Sequence, residues 1–180
     1  GAVARIAAIE TKEIEPLVES VMKSKKNPVF VLLDGITDTR NFGAILRSAA
    51  AFGVDAIFIS NTGSAPLNAD VVKTSAGAAF KVPIVKVNHL KDVVYLLKTY
   101  KIPCLGITEK AKETLYRKDF EGPIAVVFGS EDIGISNGLL KILDDQAKIP
   151  MQQSINSLNV SVACGVIFYE IIRQRGFIKT

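Results

Sequence analysis

From residue 28 onward, runs of β-branched and aliphatic residues alternate with stretches whose apolar positions recur at helical spacing. The runs "PVFVLLD" (28–34), "DAIFIS" (55–60), "VPIVKV" (82–87), "IPCLGIT" (102–108), "PIAVVFG" (123–129) and "AKIP" (147–150) predict strands. Between them, "NFGAILRSAAAFG" (41–53), "LKDVVYLLKTY" (90–100) and "NGLLKILDD" (137–145) predict helices, the second carrying Val93, Val94, Leu96 and Leu97 between lysines. Near the start, "TKEIEPLVESVMKSKK" (11–26) is amphipathic, with Thr11 as its expected cap and Pro16 disturbing the first turn. At the other end, "SLNVSVACGVIFYEIIRQRG" (157–176) sets Val160, Cys164, Ile167 and Ile171 on one stripe and stops at Gly176. Strands that are apolar throughout, rather than at alternate positions, belong to a sheet covered on both sides, and intervening helices supply the cover. The expected architecture is α/β: a mostly parallel, doubly wound sheet, with residues 1–27 as an N-terminal linker and helix and residues 28–180 as one domain.

Composition sharpens this picture only slightly. The 180 residues are 48% hydrophobic and 22% charged, as expected of a globular domain and not of a disordered chain. A net charge of +4 permits a polyanionic partner without requiring one, and the clusters "KSKK" (23–26), "EKAK" (109–112) and "RQRGFIK" (173–179), each taken singly, read better as solvated surface. Cys104 and Cys164 lie in apolar runs without CxxC spacing, so zinc binding and dithiol chemistry are not expected; they are read as buried thiols of a reducing compartment. No apolar run reaches the ~18 residues that span a bilayer, and the opening segment lacks a signal sequence, so the cytoplasm is the expected location. The abrupt start at Gly1 leaves room for a preceding segment in a longer chain.

Ligands of open parallel α/β sheets bind beyond the carboxyl ends of the strands, and three loops there are unusual. "DGITDTRN" (34–41) leaves the first strand with Asn41 at the expected helix cap and Arg47 in the second turn. "VFGSEDIGIS" (127–136) brackets Ser130 and Glu131 between Gly129 and Gly134; it is either a close approach to a ligand or a tight turn. "IPMQQSINSLNVSVA" (149–163) enters the last helix through Ser157 and Asn159, which capping alone could explain. A phosphate loop of the GxxxxGK[ST] type, a GxGxxG turn and a GxSxG elbow are all missing. His89, the only histidine, sits at an expected helix start and reads as structural, which leaves a Ser-His-Asp triad unsupported.

Taken together and in this order, "NFGAILRSA", "VFGSEDIGIS" and "IPMQQSINSLNVSVA" resemble the three motifs of the SpoU (TrmH-like) family of RNA ribose 2'-O-methyltransferases in the SPOUT superfamily. "KTSAGA" (73–78) and "SLNVSVACGVIFYEIIRQR" (157–175) are similar to the subgroup that modifies guanosine in 23S rRNA. The resemblance covers about residues 28 to 175 and implies a catalytic domain with a C-terminal deep trefoil knot, an exception to the general absence of knots. It further implies a homodimer with active sites built from both subunits, and S-adenosylmethionine as cofactor with no metal. Members of the subgroup usually carry a small N-terminal RNA-binding domain, which nothing in these 180 residues resembles.

Carried over by motif, Gly129, Ile149 and Leu158 line the cofactor pocket mainly through backbone groups, with Met151 and Thr108 nearby. Arg47 is the central catalytic residue, Asn41 orients Arg47 or the ribose, Glu131 holds the arginine or the loops in register, and Ser157 and Asn159 complete the site. A guanidinium keeps its protons near neutral pH, so the expected role of Arg47 is to clamp an RNA phosphate and stabilise the developing oxyanion, with the proton passing to phosphate or water. The resemblance also accommodates transfer RNA as substrate, and a noncatalytic knotted RNA-binding protein is the reading of a different class. With no tryptophan and 7% aromatic residues, the domain is expected to stack poorly on RNA bases.

Overall fold

Successive side chains on an extended backbone point to opposite sides, which sends Phe30 and Leu32 to one face of β1 (Val29–Asp34) and Val31 and Leu33 to the other. All four are fully buried, so both faces of the strand are covered. The computed structural model describes residues 8–152 and 157–176. It joins β1 to β2 (Ala56–Ser60), β3 (Ile84–Val87), β4 (Cys104–Ile107), β5 (Ile124–Gly129) and β6 (Asp145–Ala147) in one six-stranded sheet of order β3-β2-β1-β5-β4-β6. Every neighbouring pair is parallel.

Two apolar layers sandwich the sheet. The helices α2 (Thr39–Ala51), α3 (Ala69–Thr74) and α6 (Val160–Gln174) pack on the face that holds Val31 and Leu33. On the other face lie α1 (Ile14–Ser24), α4 (Leu90–Thr99) and α5 (Asn137–Leu140), through Val18, Val93, Leu97 and Leu139. The chain runs outward from β1 to β3, then crosses back so that β5 lies beside β1. After β1 the chain enters α2 on one face, whereas after β5 it enters α5 on the other. The loops therefore diverge and open a crevice at the carboxyl ends of β1 and β5.

Several local expectations need correction. The last strand is Asp145–Ala147 and not 147–150: Asp145 and Ala147 register with Leu105 and Ile107, and a sheet edge tolerates polar residues. Lys148 leaves β4 for an isolated parallel bridge to Thr114, exchanging backbone hydrogen bonds with Glu113 and Leu115, and the apolar Ile149 lines a cavity instead. The helix expected over 137–145 stops at Leu140, because Asp144 turns back to accept from the Cys104 N–H at 2.8 Å and β6 begins at Asp145. Thr11 does not cap α1; it pairs with Ile84, and Glu13 occupies the cap position without a side-chain bond. Asp38, not Asn41, caps α2, so the helix starts at Thr39 and Arg47 falls in its third turn. The knot depends on the path of residues 149–160, a stretch that includes 153–156, which lie outside the described residues.

The end of α6 is clamped to two distant loops. Half-buried Arg175 donates to the carbonyls of Phe120 at 2.7 Å, Asn27 at 2.8 Å and Gly122 at 2.6 Å. Burial lowers the proton affinity of its guanidinium, and Asp55 opposes that effect. Arg175→Met keeps the apolar stem and strips three carbonyls of a charged donor. It is expected to lower stability by about 3 kcal/mol in a urea titration. An unchanged midpoint and slope would mean that the clamp contributes nothing.

Candidate active site

Local backbone chemistry places the first site residue. Gly35 leaves β1 at φ 75°, a left-handed turn that suits glycine, and Asp38 then accepts from the Asn41 N–H at 2.7 Å. This fixes Asn41 in the first turn of α2. Beyond β5 the chain folds back on itself, with the Gly134 N–H donating to Ser130 O at 2.9 Å and the Ile133 N–H to Ser130 Oγ at 3.2 Å. Asp34, at the end of β1, accepts from the Ser136 N–H at 2.8 Å and ties this loop to the neighbouring strand. Asn159 caps α6 by accepting from the Ser161 N–H at 3.0 Å.

These three chain segments meet at one carboxylate. Glu131 Oε1 accepts from Asn159 Nδ2 at 2.6 Å, from the Val160 N–H at 3.3 Å and from Asn41 Nδ2 at 3.4 Å. Asn159 Nδ2 uses its second hydrogen on Asn41 Oδ1 at 2.9 Å. A carboxylate against the first N–H of α6 also lies at the positive end of the helix dipole, which favours its charge. Residues separated by 90 and 118 positions along the chain thus form one small polar network.

A cavity of about 550 Å³ opens beside this network. Its apolar wall includes Ile107, Phe128, Ile149 and Leu158, and its polar wall Thr108, Ser130, Ser157 and Asn159. Three carboxylates, Glu109, Glu131 and Asp132, face a single cation, Lys110. An acidic wall next to an apolar one suits a ligand with positive charge beside a flat aromatic ring, as in S-adenosylmethionine. Gly129 is what lets the loop close. A Cβ there would lie 1.9 Å from the carbonyl carbon of Gly134 and 2.0 Å from the Ile135 nitrogen.

All five residues proposed for cofactor contact, Gly129, Ile149, Leu158, Met151 and Thr108, line this cavity. Of the five proposed for catalysis, Asn41, Glu131 and Asn159 form the network, and Ser157 lies on the cavity wall. Arg47 does not join them. It is exposed on α2, outside the set of cavity-lining residues, and among the described residues its side chain makes no hydrogen bond or ion pair. The sequence reading missed the cavity residues Ser130, Glu109, Lys110 and Asp132, although Glu109 and Lys110 come just after Thr108 at the end of β4, where strand ends build sites.

Other groups of chemical interest lie elsewhere. His89 occupies the cap position of α4 without a capping bond and lines a second cavity with Asp34, Asn88 and Lys91. Burial pushes the Cys104 thiol up to about 12, with Asp144 adding to the effect, and also raises Cys164, so both thiols stay protonated. Among the described residues no grouping of His, Cys, Asp or Glu is placed to hold a metal ion, and no helix is long and apolar enough to cross a membrane.

The SpoU rRNA Methylase family profile matches residues 28–169. The chain is 40% identical over 179 residues to the 23S rRNA (guanosine-2'-O-)-methyltransferase RlmB of Yersinia pestis, covering 98% of this chain and 71% of that protein. It superposes on the SpoU methyltransferase AviRb from Streptomyces viridochromogenes in complex with AdoMet, with a TM-score of 0.79 and 29% identity over 84% of this chain. That alignment spans 59% of AviRb, under two thirds of its length. A second solved structure, the A. aeolicus TrmH/SpoU tRNA modifying enzyme, gives a TM-score of 0.74 at 27% identity, covering 90% of this chain and 84% of that one. On the profile match and on the identity sustained over nearly its whole length, the chain belongs to the SpoU rRNA methylase family.

Proposed function

We propose that this protein transfers a methyl group from S-adenosylmethionine to a ribose 2'-hydroxyl of RNA, with a guanosine of 23S rRNA as its substrate. The observation that carries this reading is the convergence of Asn41, Glu131 and Asn159 on one network beside a half-acidic, half-apolar cavity. Support for the substrate comes from the Yersinia pestis relative. Residues 28–180 form the catalytic unit, for which the family resemblance implies a C-terminal trefoil knot, and residues 1–27 precede it. The same reading puts the protein in the cytoplasm with its ribosomal RNA.

When bound, S-adenosylmethionine supplies an electrophilic methyl group on a sulfonium. Backbone groups around Gly129, Ile149 and Leu158 would hold its adenine end, and Glu131 and Glu109 would favour its positive charge. Glu131 already accepts three N–H donors, so its task is to keep the three loops in register. Asn41 and Asn159, oriented by that carboxylate, line up the ribose, and Arg47 clamps the adjoining phosphate and stabilises the nascent oxyanion.

Arg47 is exposed and does not line its own cavity, so the reading requires a second copy. Helices α2 and α6 lie side by side on one sheet face, with Gly165 against Ser48 and the Tyr169 ring edge-on to Phe52. Their outer sides carry Arg47 together with an apolar stripe of Val162, Val166 and Tyr169, which are 51%, 36% and 46% exposed. A homodimer formed through this face buries the stripe and offers each Arg47 to the partner's cavity.

Incubation with unmodified total RNA and S-adenosylmethionine, followed by mapping of 2'-O-methyl marks, tests the function. A guanosine mark in 23S rRNA is expected. Marks confined to transfer RNA would favour the activity named for the A. aeolicus neighbour. If the RNA gains no mark and S-adenosylmethionine at about 100 times a micromolar Kd fails to add the ~2.7 kcal/mol that ligation confers, the noncatalytic reading prevails.

A further inference from the structure

The cavity wall continues outward into a loop with no role in the chemistry described so far. Thr108, Glu109 and Lys110 line the cavity, and the chain then runs through Lys112 to a single 3-10 turn, Leu115–Arg117. Tyr116, in the middle of that turn, is 75% exposed. From the structure we infer that this turn is an RNA platform on which Tyr116 stacks under an unpaired base while Lys110, Lys112 and Arg117 follow the phosphates of the strand entering the cavity.

Three observations carry the inference, which rests on the RNA methyltransferase reading above. First, the platform is held rigidly, so that little order is lost on binding. Leu115 is buried and its N–H donates to Lys148 O at 2.9 Å, next to the cavity residue Ile149. Lys118 pins the far side through Glu113 and Asp145, each at 2.5 Å. Second, the charges are partitioned. Glu113 is committed to Lys118, and Asp119 accepts from the Glu121 N–H at 2.8 Å. Among the described residues Lys110, Lys112 and Arg117 take part in no ion pair, so three cations stand at the surface against the two carboxylates Glu109 and Asp119. Third, the loop is continuous with the cavity through Glu109 and Lys110, so a strand lying on it leads into the site. An exposed aromatic ring among unpaired cations is the combination that binds single-stranded RNA, by stacking and by phosphate contact. Low overall aromatic content does not count against it, because one rigid ring suffices for one base.

The test measures binding of a fluorescent single-stranded RNA oligomer and methylation of unmodified ribosomal RNA by the whole chain. Tyr116→Ala is expected to weaken RNA binding and raise KM by about tenfold, with kcat unchanged, and Tyr116→Trp to retain wild-type values. The pair Lys112→Gln with Arg117→Gln is expected to flatten the salt dependence of binding by about 1.4 in the log–log slope, from two lost phosphate contacts. Melting temperature and its response to S-adenosylmethionine should not change in any of these variants. If the parent chain methylates RNA and Tyr116→Ala binds and turns it over equally well, the platform is wrong and the reading of the cavity stands. An altered sedimentation coefficient with unchanged RNA affinity would instead assign Tyr116 to a protein contact and overturn the platform. A parent chain that neither binds nor methylates RNA overturns both.

Discussion

Replacing Arg47 by lysine is expected to cut methyl transfer roughly a hundred- to a thousandfold, the usual cost of removing one donor to a developing oxyanion. Lysine keeps the charge but loses the planar fork that grips two oxygens at once, so the loss reports geometry and not electrostatics alone. Affinity for S-adenosylmethionine should stay within about twofold of the parent, because the role given to Arg47 is toward the RNA phosphate and the oxyanion and not toward the cofactor. Folding should be equally unaffected. Arg47 lies exposed on α2 and bonds to no other side chain or carbonyl among the described residues, and substitutions of that kind shift stability by less than about 0.5 kcal/mol. Turnover undiminished in Arg47→Lys would remove the residue from the mechanism.

The same residue allows the shared site to be tested. If each cavity takes Arg47 from the partner, a dimer of one Arg47→Ala chain and one Asn159→Ala chain retains one intact site, since the first supplies the cavity and the second the guanidinium. Random mixing should then restore about a quarter of parental activity, from half of the dimers having one site each. Restoration must fail if Arg47 serves its own cavity, because both sites in the mixed dimer are then damaged. The first outcome is the expected one, because α2 carries Asn41 into the network of its own chain while Arg47, on the same helix, is exposed and lines no part of that chain's cavity.

Sheet and helix order were legible from apolar periodicity because the strands are covered on both faces, and residues such as Phe30, Val31, Leu32 and Leu33 are all apolar for that reason. The edge strand was misplaced for the opposite reason. Asp145 and Gln146 pair by backbone alone, and the apolar Ile149 beyond them answers to the cavity. Spacing alone could not reveal that Asn41, Glu131 and Asn159 meet; motif order carried that expectation. What sequence left open was direction. Six positions separate Asn41 from Arg47 on one helix, a rotation that turns the two side chains about 120° apart, so a motif naming both as site residues says nothing about which subunit each serves. Asp38 shows a similar limit, since Asp38 and Asn41 are both good caps and only the hydrogen bond to the Asn41 N–H decides between them.

Gly129→Ala is expected to be the most damaging single methyl group that can be added to this chain near its site. The new Cβ would sit 1.9 Å from the carbonyl carbon and 2.3 Å from the carbonyl oxygen of Gly134. Both are backbone atoms held by the Gly134 N–H bond to Ser130 O, so no side-chain rotation relieves the overlap. Either β5 or the loop over 130–136 must move, and that loop carries Glu131 and the bond from Ser136 to Asp34. A stability loss of about 3 kcal/mol, at the upper end for overpacking, is expected, together with loss of the melting-temperature rise produced by S-adenosylmethionine. Gly134→Ala provides the contrast. Its φ of 74° strains an alanine, but a Cβ there meets no atom of the described residues within 4 Å, so only about 1 kcal/mol should be lost and ligand stabilisation should persist. Thermal melts of both variants with and without S-adenosylmethionine separate the two effects. Equal losses would mean that closure of the loop on Gly129 does not shape the cavity, whereas the larger loss at Gly129 makes this contact the point at which strand, loop and ligand site depend on one another.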